Sequence, residues 1–458
     1  MSKVSAIQLP IPVQGWYPEV ERYQALAETV LSQARAAGAT QAEVRLGHSA
    51  GFSVLVRMGA VETLSYHRDK RLSLTVYKGQ QKGSASTTNL NASAIEQTVQ
   101  AAYHIAQLTQ ADPASGLAEA ALMAHHYPDL DLHHPWAMNP MQAIELAQCC
   151  EAQAMAVDTR IDNAEGTGVD TAQAMTLYAN SHGFMGHYLG SRHSLHCILV
   201  AKDAQGHMQR DGNYTVSRDP RALQAIEQFA CEAGQRTIGR LGARRLKTCQ
   251  AAVVFQAEVA ASLIGHFLGA ISGGALYRKT SFLLDQLHRP VFAACVHIQE
   301  QPYLAKGLGS VPFDAEGVAP KDRDLVVEGV LQDYLLSSYS AKRLGMQTTG
   351  NAGGAHNIVV SAQVPDLPSL LQQMDTGLLV TELLGHGVNP VTGDYSQGAA
   401  GFWVEKGQIQ YPVEEITIAG NLRDMYQAII AIAADVDTRS AILTGSILIK
   451  NMTIAGEG

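Results

Sequence analysis

Apolar and polar residues follow one another along this chain in two rhythms, and the changes of rhythm mark out its elements. Over residues 20–37, Leu26, Val30 and Ala34 recur at helical spacing and Gly38 ends the run, which predicts an amphipathic helix. The period then falls to two. Val54, Val56 and Met58, then Leu72, Leu74 and Val76, each project onto one face of a strand, with Gly59-Ala60 and Gly79-Gln80 as turns of an antiparallel meander. Residues 93–108 return to the helical period, capped by Asn91 or Ser93. The opening unit is therefore helix, sheet, helix.

Pro113, Pro128, Pro135 and Pro140 make residues 112–140 loop-like, and a helix is predicted over 141–157. Strands follow around 174–177 and 194–200, joined through a tight turn at Asn180-Ser181-His182-Gly183, and a helix covers 221–241. Residues 256–281 open as an apolar helix through Val259, Leu263, His266, Phe267 and Ala270, then dissolve into Gly269, Gly273 and Gly274. A bilayer span needs ~20 mostly apolar residues, so this is a buried core helix and no membrane partner is expected. Beyond it the chain is glycine-rich and strand-like. Residues 325–336 read as a hairpin turning at Glu328-Gly329, 339–344 as a helical turn, and the last hundred residues as strand after strand with one helix at 421–433. The predicted fold class is α+β: an N-terminal helix and antiparallel-sheet region, then a β-rich C-terminal domain. Its units are 1–112, 113–242 and 243–458, with the main boundary near Gly242.

Composition agrees with a large core: 458 residues, 46% hydrophobic and 16% charged, with 41 glycines. A net charge of −9, with no basic run longer than Arg244-Arg245, argues against a nucleic-acid partner. The first residues lack the apolar core of a signal peptide, and the six cysteines show no CxxC spacing, which points to reduced thiols in the cytoplasm. His125-His126 and His133-His134 sit in a proline-rich loop without fixed ligand geometry. Ser181, His182 and His187 have no nucleophile-elbow context, and Gly307-Leu308-Gly309 follows no strand, so neither a catalytic Ser/His pair nor a dinucleotide loop is expected. Asp314 and Glu316 are carboxylates that suit metal binding or acid/base work if the backbone is extended; the structural alternative is an acidic turn accepting backbone N–H bonds. Around Gly350 and Asn351 a loop exposes bare backbone to a neighbouring strand or peptide. The 256–281 helix carries a near miss. A peptidase metal helix presents a zinc-binding His, a catalytic Glu and a second His. Here His266 stands at the second His, while Ala261 and Ser262 occupy the positions of the first His and the Glu. A methyl cannot ligate zinc, and a hydroxyl is a poor general base.

The stretches FSVLVRMGAVETLSYHRDKRLSLTVYKGQQKGSASTTNL, YANSHGFMG, GSVPFDAEGV, VVEGVLQDYLLSSYSAKRLGMQTTGNA, GDYSQGAAGFWVEKGQIQYPVEEITIAGNL and the closing TIAG together resemble the TldD/PmbA family, also labelled "modulator of DNA gyrase". The resemblance covers nearly the whole chain in order. It implies two kinds of subunit. The TldD kind carries His-Glu-x-x-x-His and a cysteine near its C-terminus and binds zinc; the PmbA or TldE kind lacks them and pairs with the first. This chain resembles the PmbA kind, since no cysteine follows Cys295. The resemblance further implies a heterodimeric metalloprotease that cuts unfolded or extended peptides in an enclosed chamber. The zinc belongs to the partner, this chain has no cofactor or catalytic residue of its own, and a self-dimer forms when the partner is absent. Asp314, Glu316, Gly350 and Asn351 are the substrate-binding candidates. Three other readings stand beside it: a homodimer that holds peptides without cutting them, a stand-alone hydrolase using His266, Asp314 and Glu316, and a direct regulator of a topoisomerase.

Overall fold

In the computed structural model the described residues are 19–456. The Pro-rich opening, and the signal-peptide reading made on it, lie outside them. The N-terminal part contains α1 (Val20–Ala36), β1 (Gln41–Arg57), β2 (Ala60–Lys78), β3 (Gln81–Thr87), α2 (Ala92–Leu108), α3 (Pro140–Met155), β4 (Ile161–Asn180), β5 (Met185–Lys202), β6 (Met208–Ser217) and α4 (Ile226–Gly239). All six strands form one antiparallel sheet in the order β3-β2-β1-β4-β5-β6. Sequence alternation decides which face is covered. Val44, Leu46, Leu72, Leu74, Met175 and Leu177 are buried under α1 and α2. Farther along the same face, Phe52, Val54, Val56, Leu195 and Leu199 are buried under α3 and α4. Each such side chain contributes about 1.5–3 kcal/mol of burial, enough to pin the register, because a one-residue slip turns every one of them to the other side. That other side is polar and has no helix on it.

Several elements differ from the pattern-based expectation. Met58 leaves the strand face: it is 52% exposed, in a turn where Met58 (φ 50°) and Gly59 (φ 74°) are both left-handed, the hairpin geometry that matches strand twist. β4 and β5 far outrun the short strands expected around 174–177 and 194–200, because polar residues on the uncovered face hide the period. α4 starts at Ile226 rather than 221, since Pro220 opens a separate 3-10 turn capped by Asp219. The turn at 180–183 and the cap at Asn91 are as expected, the latter accepting the Ala94 N–H at 2.8 Å.

The C-terminal part runs β7 (Cys249–Phe255), α5 (Ala257–Ala270), α6 (Gly273–Tyr277), β8 (Ile298–Glu300), β9 (Arg323–Val327), β10 (Val330–Leu331), α7 (Ser338–Leu344), β11 (Ile358–Val360), α8 (Leu367–Met374), β12 (Gly377–Leu384), β13 (Asp394–Glu405), β14 (Gln408–Asn421), α9 (Leu422–Gln427), β15 (Ile429–Ile432), β16 (Ile442–Leu443) and β17 (Ile447–Ala455). Its main sheet is ordered β14-β13-β12-β7-β17-β15, and β14 also pairs with β17, so the sheet curls round to meet itself. α5 packs on one face with Phe255, Phe292, Tyr395 and Tyr426. α8 covers Val254, Leu379 and Leu448 on the other. β8 to β11 and β16 make a second, smaller sheet. The helix expected over 421–433 stops at Gln427, because Ile429, Ala431 and Ile432 pair with β17. α8 adds a second helix to the last hundred residues, with Asp366 as its cap and Pro368 in its first turn. The α+β class with a sheet-rich C-terminal part stands.

The two parts are docked by a defined set of contacts. Arg218, at the end of β6, donates to the carbonyls of Gly307 (2.9 Å) and Leu308 (3.1 Å). Lys306 donates to the buried Asp219 at 2.8 Å. Phe313 meets Phe184 edge-on, ring centroids 5.5 Å apart. Together they hold residues 307–318 over the uncovered face of the N-terminal sheet.

Candidate functional site

α5 is apolar inward and nearly bare outward. Ala260, Leu263, Ile264 and Phe267 are buried, and Tyr426 donates to the Leu263 carbonyl at 2.8 Å. Ala261, Ser262, Gly265 and His266 fall on the outer, half-buried side. The Ser262 hydroxyl is already committed to the Val259 carbonyl at 2.7 Å. His266 lies edge-on to Tyr395, centroids 6.3 Å apart, and burial pushes its pKa below the usual histidine value. The helix continues unbroken through Gly265. Among the described residues no cluster of three His, Cys, Asp or Glu groups is placed to hold a metal, and His266 does not meet Asp314 or Glu316. A zinc ion therefore has no fitting donor set on this helix.

The second candidate region is the uncovered sheet face where residues 307–318 roof it. Here the backbone is turned, not extended, with Gly317 at φ 77°. Asp314 points inward: it is 4% exposed, and its carboxylate accepts the N–H groups of Glu316 (2.8 Å), Val318 (2.9 Å) and Ala352 (2.9 Å). Burial, and secondarily the charge of Glu316, lift its pKa to about 7. Glu316 instead faces an open cavity of about 460 Å³, with one oxygen accepting the Ser338 N–H at 2.9 Å. The floor of that cavity belongs to the sheet: Glu43 and Arg45 of β1, Arg71 of β2, Thr176 and Tyr178 of β4. Glu43 accepts the hydroxyls of Tyr178 (2.8 Å) and Tyr77 (3.2 Å), and burial raises its pKa. Arg45 donates to the Ala315 carbonyl at 2.6 Å, tying floor to roof. Beyond Arg45 a second cavity of about 280 Å³ is lined by Phe313, Asp314 and Gly353.

The structure brings Asp314 against the 350–354 loop through paired bonds between Ala315 and Ala352 and between Ala352 and Asp314. Gly350 is left-handed (φ 74°) and its backbone passes Pro320 too closely for a side chain. Asn351 is buried, donating to Glu300 (2.7 Å) and accepting from Arg323 (2.6 Å), so its amide is committed to the frame. Glu43, Arg45 and Arg71 were not singled out from sequence. Their one signal was polar residues alternating along β1 and β2, which any half-covered antiparallel sheet shows.

Three family domains match in order: PmbA/TldA metallopeptidase domain 1 over residues 42–106, central domain over 133–241, and C-terminal domain over 248–456. The chain belongs to the PmbA/TldD family. It is 46% identical over 442 residues to "Metalloprotease PmbA" of Escherichia coli O157:H7, covering 96% of this chain and 98% of that one. Among solved structures it is similar to a putative modulator of DNA gyrase from Bacteroides thetaiotaomicron, with TM-score 0.90, 26% identity, and 95% and 99% of the two chains covered. It shares its fold with TldE from Thermococcus kodakarensis, with TM-score 0.83, 19% identity, and 94% and 100% coverage. Among the described residues no helix is long and apolar enough to cross a membrane.

Proposed function

We propose that this chain is the non-catalytic, PmbA-type subunit of a peptide-cleaving heterodimer whose zinc and catalytic base reside on a TldD-type partner. The observation that carries this reading is the outer face of α5, where Ala261 offers a methyl, Ser262 a hydroxyl already bonded to Val259, and His266 a lone imidazole. One neutral ligand is far short of the three protein ligands that an ordinary catalytic zinc site uses. The chain's part is architectural: it supplies chamber wall, and the polar sheet face roofed by residues 307–318 is a surface along which an extended, unfolded peptide can lie. A self-dimer takes the heterodimer's place when the partner is absent.

The test is turnover of an unfolded, fluorogenically labelled peptide by this chain alone, by a TldD-type partner alone, and by the two together. Chelator-sensitive turnover only in the mixture, with co-elution of both chains, is the expected result. Zinc-dependent turnover by this chain alone would overturn the reading. Peptide binding without turnover in any mixture would favour the binding homodimer instead.

A further inference from the structure

The cavity between the polar sheet face and its roof holds four charged groups, three on the sheet and one on the roof, that the fold leaves without ionic partners among the described residues. Opposite residues of neighbouring strands form rungs across it. Glu43 stands opposite Thr75, Arg45 opposite Ser73 and Tyr178, and Gly47 opposite Arg71 and Thr176. Successive rungs on one face are two residues, or about 7 Å, apart, so Arg71 stands about 13 Å from the Glu43 rung. Glu316 descends from the roof close enough for its charge to raise the pKa of Glu43. One end of the cavity is thus anionic and the other cationic.

None of the four makes an ion pair among the described residues. Glu43 meets two tyrosine hydroxyls, Glu316 one backbone N–H through Oε2 alone, and Arg45 one carbonyl, while the Arg71 side chain has no hydrogen-bond partner. Between the two ends the floor is open, for a Cβ on Gly47 would meet nothing within 4 Å. Ser73, Thr75 and Thr176 line it with hydroxyls that both donate and accept, as peptide groups require.

We propose that this cavity binds short peptides by both free ends, the α-ammonium between Glu43 and Glu316 and the α-carboxylate at Arg45 and Arg71. An extended chain advances about 3.3–3.6 Å per residue, so two to four residues bridge rungs about 7–13 Å apart. A longer chain must leave one end outside, and a single amino acid cannot reach both. The recognised feature is therefore a small peptide with unblocked termini, the chemistry of a proteolytic product rather than of an intact substrate. Only the origin of such peptides rests on the function proposed above; the binding is a property of this chain alone.

The experiment is calorimetric titration of the full-length chain, without any partner, with trialanine, N-acetyl-trialanine, trialanine amide and alanine. Trialanine is expected to bind, with each blocked form and alanine at least about tenfold weaker, as loss of a charge-assisted contact implies. Arg71→Gln should weaken trialanine and erase its advantage over the amide. Arg71→Lys should restore part of both. Glu316→Gln, which keeps an acceptor for Ser338, should erase the advantage over the acetylated form. Absence of trialanine binding, equal binding of blocked peptides or alanine, or discrimination that survives in these variants at unchanged melting temperature would overturn the proposal. Failure of the mixed-subunit turnover assay leaves these titrations unaffected, so the two readings fall separately.

Discussion

Replacing Asp314 by asparagine separates a carboxyl that holds a loop from one that performs chemistry. The wild-type carboxylate accepts three N–H groups, two on Oδ1 and that of Ala352 on Oδ2. Asparagine keeps one carbonyl oxygen for the first two and turns its NH₂ toward Ala352, leaving a buried donor unmet at a cost of about 1–3 kcal/mol. The pH dependence runs the other way. Burial and Glu316 raise the Asp314 pKa from 3.8 to about 7, so the folded chain keeps a proton that the unfolded chain releases. Its stabilising contribution is fully present below the unfolded pKa and is lost as pH rises through about 7. That rise is worth about 4 kcal/mol, of which about 2.5 is lost between about pH 5 and pH 8. The asparagine side chain does not titrate. The variant should therefore be less stable than wild type by about 1–3 kcal/mol near pH 8, where the carboxylate is the form replaced, and by about 2.5 kcal/mol more near pH 5. A chain with several cores need not unfold in one step, so the local reading is amide exchange over 314–318 and 350–354, with melting temperature alongside. Parallel pH profiles for the two proteins would refute the assignment of the raised pKa to Asp314. Unchanged exchange in the variant would refute the clamp.

Ala261→His with Ser262→Glu writes the metal motif back onto α5, yet positions 261 and 266 lie five residues apart, about 140° round a regular helix, and α5 is unbroken between them. Metal analysis after dialysis should find no stoichiometric zinc, and peptide turnover without a partner should stay at background. Gly350→Val puts a Cβ 2.9 Å from the Pro320 Cα on a backbone at φ 74°, which should cost about 3 kcal/mol or more and lower the melting temperature measurably. Lys306→Ala leaves the buried Asp219 with Arg221 but without its link across the two parts; faster amide exchange around residues 304–310, with little change in melting temperature, is expected.

Legibility from sequence was uneven for physical reasons. The β1 to β3 meander and the hairpin turning at Glu328-Gly329 were readable because alternation and turn residues are local signals. The 421–433 stretch misled because its first turns are helical, and only pairing with β17 turns Ile429–Ile432 into a strand. α5 was readable as a buried apolar helix, because the helical spacing of Val259, Leu263 and Phe267 is a local signal. The cavity was not readable. Its floor comes from β1, β2 and β4 and its roof from a loop far down the chain; Arg45 and Ala315, which join them, are 270 residues apart. Of the pair singled out there, Asp314 proved to be inward and Glu316 outward, a split set by the turn at Gly317.

The pairing of β7 with β17 sets Cys249 against Ile454, so one edge of β7 waits for a strand made about 200 residues later. At synthesis rates of about 5–20 residues per second that wait lasts roughly 10–40 s. The N-terminal sheet has all six of its strands by Ser217 and can form on the ribosome, whereas the C-terminal sheet cannot close before its last strand emerges. In the interval Val253, Val254 and Phe255 form a nascent apolar strand with a bare backbone edge, the kind of segment that pairs with a neighbouring nascent chain. Slow translation beyond β14, or a stop before Ile447, should therefore yield a folded N-terminal part trailing an aggregating C-terminal one, and chaperone demand should peak late in synthesis.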